Sequence, residues 1–188
     1  MVLDADDRHQ AEAYLDESRR HVDRWRVAGG PWRRYDGAVP VGALQAAALH
    51  HPDARVRRDC LEVLDHAAND RSTDVFRRAL ADPVPRVRLF ALHGLSCERC
   101  RIGDLCVADV ATELARVVGE DPSPKVRHAA VEVAHRLVGR DEALRSVVER
   151  AAAADPDDLV RVVASAVVEG RAGDVRSRKA LRRRSRPS

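Results

Sequence analysis

Aromatic residues are scarce in this chain, with two each of Phe, Trp and Tyr among 188 residues. A core without large rings has to be filled by Ala, Val and Leu, which suits thin layers of helix packed on helix. Lysine is scarcer still, with only Lys125 and Lys179, while arginine is abundant. We read that imbalance as compositional bias and not as a nucleic-acid signal. Long apolar runs are missing. Apolar stretches such as Val162-Val163-Ala164 fall far short of a bilayer span. The chain opens with Met1-Val2-Leu3 and goes straight into Asp4, Asp6 and Asp7, without the basic start and apolar stretch of a secretory signal. These absences predict a soluble, cytoplasmic protein. In that compartment clustered cysteines serve as metal ligands or redox groups more often than as disulfides. Catalytic groupings are missing too: there is no Gly-rich phosphate loop, no Ser/His/Asp order and no H-E-x-x-H. His50, His51, His66, His128 and His135 are scattered, and helix surfaces or helix ends are their expected places.

What the chain does have is a line that recurs in register: His51-Pro52-Asp53-Ala54-Arg55-Val56-Arg57, Asp82-Pro83-Val84-Pro85-Arg86-Val87-Arg88, Asp121-Pro122-Ser123-Pro124-Lys125-Val126-Arg127 and Asp155-Pro156-Asp157-Asp158-Leu159-Val160-Arg161. The prolines Pro52, Pro83, Pro122 and Pro156 are 31, 39 and 34 residues apart. Self-similarity at such a period is the mark of stacked repeats, each a supersecondary unit that buries its apolar face on its neighbours. Asp ahead of Pro predicts an N-cap followed by the first helical residue, with His51 as the weaker cap of the first copy. Each first helix should lead by a turn to a second, most clearly over Thr73 to Ala81, Val107 to Gly119 and Asp141 to Ala154. Val56, Val87, Val126 and Val160 are expected in equivalent buried places.

These copies resemble HEAT repeats, in particular the short bacterial type with a D-P-x-x-x-V-R first helix, over about residues 40–170. The resemblance implies an all-α fold, a right-handed α-solenoid of helix pairs. It also implies a ladder between successive repeats, with Asp82, Asp121 and Asp155 as acidic rungs and Arg57, Arg88, Arg127 and Arg161 as basic ones. Those residues are then structural and not an active site.

Three regions follow. Residues 1–39 form an N-terminal cap, with one amphipathic helix over residues 4–28 whose apolar face holds Ala11, Tyr14, Leu15, Ser18, Val22 and Trp25. Gly29-Gly30-Pro31 stops it, and an aromatic loop with Trp32 and Tyr35 follows; covering the open end of the stack is its expected task, although aromatics beside Arg33 and Arg34 also suit an interface. Residues 40–170 form the repeats, beginning with a short Ala-rich helix from Pro40 to His50. Residues 171–188 form a tail with seven Arg and one Lys against Asp174, a balance of +7 in a chain of net +3, so the remainder is mildly acidic. Such a run reads as a disordered, solvated tail that could touch nucleic acid or an acidic protein weakly and in a salt-dependent way.

The second repeat is about eight residues too long, and the excess falls between Cys97 and Cys106. Cys97-x2-Cys100-x5-Cys106 places three thiols within ten residues. A C-x2-C hairpin can direct two sulfurs at one ion and a third Cys can close over it; zinc in a structural site takes four such ligands. Cys60 aligns with Ala91, Ala130 and Ala164, the small inward position of the first helix, so a buried alanine substitute is its simplest reading. His93 lies one helical turn before Cys97 on the same face and supplies the fourth ligand. His66, at the position equivalent to Cys97 one repeat earlier, is the rival. A redox pair of Cys97 with Cys100, an iron–sulfur cluster or idle thiols are the competing readings, although the usual cluster spacing and a fourth thiol are missing. Four protein ligands leave no position for water, so the zinc would be structural. The function expected is a non-catalytic, monomeric scaffold for an unidentified protein partner, with no membrane association. The alternative is a nucleic-acid-binding or DNA-base-acting HEAT-like protein, which the acidic body and N-terminal aromatics disfavour.

Overall fold

A computed structural model describes residues 2–28, 39–68, 70–96 and 107–171, with side chains described to Ser18 in the first segment and from Val110 in the last. Among the described residues the secondary structure is entirely helical. The helices are α1 (Ala5–Ala28), α2 (Val41–His50), α3 (Ala54–Ala68), α4 (Thr73–Ala79), α5 (Pro85–Ser96), α6 (Val107–Glu120), α7 (Pro124–Ala134), α8 (Glu142–Ala154) and α9 (Asp158–Val168). They fall into two compact units, Met1–Asp104 and Leu105–Ser188.

In unit 1, α2 packs against α1, α3 and α4, and α5 against α3 and α4. Ala43, Leu44, Ala46, Ala47 and Ala48 are all buried, because neighbours surround α2 on several sides and only small side chains let them approach. Phe76 on α4 is fully buried and needs Gly94 opposite: a Cβ at Gly94 would lie 2.5 Å from the ring's Cε1. In unit 2, α6 packs on α7 and α8, and α9 on α7 and α8. Leu114, Val117, Val131, Leu144 and Val148 form its core with Val126 and Val160. α9 ends in a left-handed residue, Gly170 at φ 71°, and the Arg171 amide reaches back to the Ala166 carbonyl at 2.8 Å.

The first-helix pattern holds with one departure. Val87, Val126 and Val160 are completely buried, but Val56 is only half-buried. α1 packs mainly on α2 and touches α3 lightly, which leaves the flank of Val56 partly open. Cys60, Ala91, Ala130 and Ala164 are all at 0% exposure, so the cysteine does stand in for alanine at a closely packed spot.

The expected capping is corrected. Asp82, Asp121 and Asp155 are not N-caps, and Pro52, Pro83, Pro122 and Pro156 are not first helical residues; the helices begin two residues after each Pro. Ser123 is the N-cap of α7 with Pro124 behind it, and Asp157 caps α9 by accepting the Leu159 and Val160 amides. The Asp before each Pro instead closes a tight turn, with Oδ1 accepting the amide two residues on, from Val84, Ser123 and Asp157, at 2.8 Å in each case. Helix-start statistics pointed to the right residue type for the wrong purpose, since that carboxylate is committed elsewhere.

It is committed to arginine. In unit 1, Arg57 Nε and Nη2 donate to Asp82 Oδ2 and Oδ1 at 2.6 and 3.0 Å. In unit 2, Arg127 makes the same fork to Asp155, at 2.8 Å for both bonds. Both pairs are more than nine-tenths buried at their side chains. The remaining nitrogen, Nη1, returns to the arginine's own turn: Arg57 to the His51 carbonyl at 2.8 Å, Arg88 to Asp82 at 2.7 Å, Arg127 to Asp121 at 2.8 Å and Arg161 to Asp155 at 2.5 Å. Burial pushes the Asp155 carboxyl up, but the Arg127 hydrogen bonds, the Asp157 amide and the charges of Arg127 and Arg161 outweigh it, so the group sits below its ordinary value.

Candidate functional site

Three of the four sequence-predicted ligands, Cys97, Cys100 and Cys106, lie outside the described residues. The fourth, His93, is on the last turn of α5, just before them. It is exposed, as its polar counterparts Glu62 and Glu132 suggested. α5 carries its helical hydrogen bonding through to Ser96, whose hydroxyl donates to the Leu92 carbonyl at 2.9 Å, so His93 stands on regular helix.

His93 has a partner that the sequence did not announce. Its Nε2 is 3.4 Å from Asp65 Oδ2 on α3; the imidazole is 55% exposed and the carboxylate only 3%. Asp65 is held within the buried stripe of α3 formed by Leu61, Leu64 and Ala68. A charged residue inside an otherwise apolar stripe was the available signal, and burial of a carboxylate with a partner is its physical meaning. At 3.4 Å this is an ion-pair contact; were the ring to ligate a metal through its other nitrogen, the carboxylate would stand behind it and favour one ring orientation.

On α3 beside this pair, Glu62 is half-buried. Burial and the nearby Asp59 raise the Glu62 carboxyl above its ordinary value, with Asp65 adding to the effect, while Arg58 and His66 oppose it. His66, the rival ligand, is exposed. Among the described residues no three His, Cys, Asp or Glu side chains come together in a group that could hold a metal ion. Cys60, fully buried in α3, stays a packing residue. The arrangement here therefore sets one exposed imidazole 3.4 Å from a buried carboxylate, at the edge of the cysteine segment.

The recurrent turn, the valine and small-residue positions and the buried Arg–Asp forks define an all-α protein of the α-solenoid class. Residues 42–133 match a family model described as HEAT repeats, so that stretch of the chain is similar to HEAT repeats. No curated protein and no solved structure matches the chain. No helix among the described residues is long and apolar enough to cross a membrane.

Proposed function

We propose that the protein is a non-catalytic scaffold that holds a protein partner on its HEAT-like repeats, and that a structural zinc orders its cysteine segment. One observation carries the scaffold reading. The residues that recur from repeat to repeat are consumed internally: Arg57, Asp82, Arg127 and Asp155 in buried forks, and Val87, Val126 and Val160 in the core. What differs between repeats is left on the helix surfaces, where recognition of a particular partner has to reside. The second helices supply the surface proposed for binding within each unit, α2 and α4 in unit 1 and α6 and α8 in unit 2. Co-purification from the native host tests it: a stoichiometric protein partner is expected, and its loss on charge reversal at exposed Asp74 and Arg78 of α4 would map it. A chain that purifies alone and turns over a small molecule would overturn the scaffold.

For the zinc, the support is the donor set: three closely spaced thiols and an imidazole backed by the buried Asp65 carboxylate. When bound, the ion would cross-link α5 to the segment beyond it; Cys97, Cys100, Cys106 and His93 would hold it. Metal analysis of tag-free protein should give about one zinc per chain. Cys100→Ser should abolish it, and a metal-free preparation of undiminished stability would refute the structural role. A second reading rests on the +7 charge of residues 171–188. It assigns any nucleic-acid contact to that tail, and a gel shift that survives truncation at residue 170 would instead revive a nucleic-acid role for the repeats.

A further inference from the structure

The turn at His51 repeats the geometry of the other three with its polarity reversed. Asp82 and Asp155 each accept an amide of their own turn through Oδ1 and receive a guanidinium from the preceding first helix. His51 makes both contacts with a ring. Its Nδ1 accepts the Asp53 amide at 3.0 Å, the place that Asp Oδ1 fills elsewhere. Its Nε2 lies 2.8 Å from Glu12 Oε1 on α1. A ring nitrogen that accepts a hydrogen bond carries no proton in the neutral imidazole, so Nε2 is the one that donates. The donor thus comes from the turn and the acceptor from the preceding helix, opposite to the Arg57–Asp82 and Arg127–Asp155 forks. The imidazole is 5% exposed and the Glu12 carboxylate 46%, so an enclosed ring meets a partner that reaches solvent. Arg8, one turn before Glu12, flanks the pair with Nε 3.5 Å from both His51 Nε2 and Glu12 Oε1. The His51 hydrogen bond, ahead of all other influences, holds the Glu12 carboxyl below its ordinary value.

We propose that the His51 turn is a keyed seat: it accepts a helix that presents a carboxylate and rejects the arginine-bearing helix that fits the Asp82 and Asp155 turns, with α1 as its occupant through Glu12. A first helix of the common type would set a guanidinium against Nε2–H, two donors with no acceptor between them, and the enclosed imidazole has no room to turn away. Position 12 and position 51 therefore decide together which helix starts unit 1. Exchange of both residues should recreate the common fork, and exchange of either alone should create a like-with-like clash.

Amide hydrogen exchange over residues 5–18 of the full chain tests this with Glu12→Arg, His51→Asp and the double variant. Each single change is expected to speed exchange in α1 by about tenfold or more, and the double variant to return to within about threefold of the native chain. Exchange in α7 should not move in any of them. Additive losses in the double variant, or native protection in both single variants, would overturn the proposal. Should His51→Asp fail to fold, Glu12→Gln and Glu12→Leu decide on the native turn. Gln keeps an acceptor for Nε2–H and should retain protection that Leu loses; equal protection in the two would sink the idea.

Discussion

Unit 2 follows the repeat closely, while unit 1 bends it at several places. In unit 2 the small inward positions are both alanine, Ala130 and Ala164, the two valines are fully buried, and the turn residues Asp121 and Asp155 are both aspartate. In unit 1 the equivalents include Cys60 for alanine, His51 for aspartate and a Val56 that keeps some exposure. Unit 1 also holds the buried Phe76 in the space above Gly94 and the Asp65–His93 pair. The departures are not random. His51 stands where the preceding helix, α1, lacks the repeat's own arginine, and Asp65 stands behind the imidazole that precedes the cysteines. Deviation from the repeat is thus a guide to added roles, and adherence to it a guide to packing alone.

The largest test of this contrast removes the common element from the regular unit. Arg127→Ala leaves the buried Asp155 carboxylate unpaired and should cost about 3–5 kcal/mol in denaturant unfolding. Arg57→Ala should cost a similar amount in unit 1, since its fork to Asp82 is just as enclosed. A loss below about 1 kcal/mol in both, the range of exposed pairs, would mean that the forks do not organise the repeats.

A departure from the repeat comes next. Gly94→Ala forces a methyl into the Phe76 ring and should cost about 1–3 kcal/mol, measured by thermal or chemical unfolding. Phe76→Leu placed in the Gly94→Ala chain should recover part of that loss, because the smaller side chain makes room. Two losses that simply add would show that the ring and the glycine are not matched.

Acid should separate the two units through opposite shifts. Asp155 sits below its ordinary value, so its contribution is complete above the unfolded carboxyl value, about 4, and fades as pH falls through the lower folded value. Glu62 in unit 1 is raised, so its ionised form opposes folding once pH climbs past the ordinary carboxyl range. Glu62→Gln is therefore expected to stabilise the chain slightly at pH 7, with the gain vanishing as pH drops below about 4 in a series of thermal melts. A gain that stays constant with pH would assign the effect to something other than charge. Smallest of all, Cys60→Ala should change stability by less than about 1–2 kcal/mol and leave metal content untouched, since it restores the residue found at Ala91, Ala130 and Ala164.

Much of this architecture was legible before any coordinates. Four copies in register gave the first helices, the inward position of Cys60, and the Arg57–Asp82 and Arg127–Asp155 forks through the HEAT resemblance. Local pattern failed where one side chain serves two ends. Asp ahead of Pro looks like a helix cap from its neighbours in sequence, yet its geometry is set by an arginine 25 or 28 residues away. Asp65, Glu12 and the match of Gly94 to Phe76 were missed for the same reason, since each acquires its meaning from another helix. Of the candidate metal site, only His93 and its exposure could be compared with the sequence expectation.

The ladder arginines have one more consequence. Each guanidinium ties its own loop with one nitrogen, and Arg57 and Arg127 use the other two to grasp the loop that follows. A gene segment encoding such a piece brings its own coupling at both ends. Tandem copying could lengthen the array in a single step, and deletion could shorten it, without new contacts having to evolve at the junction.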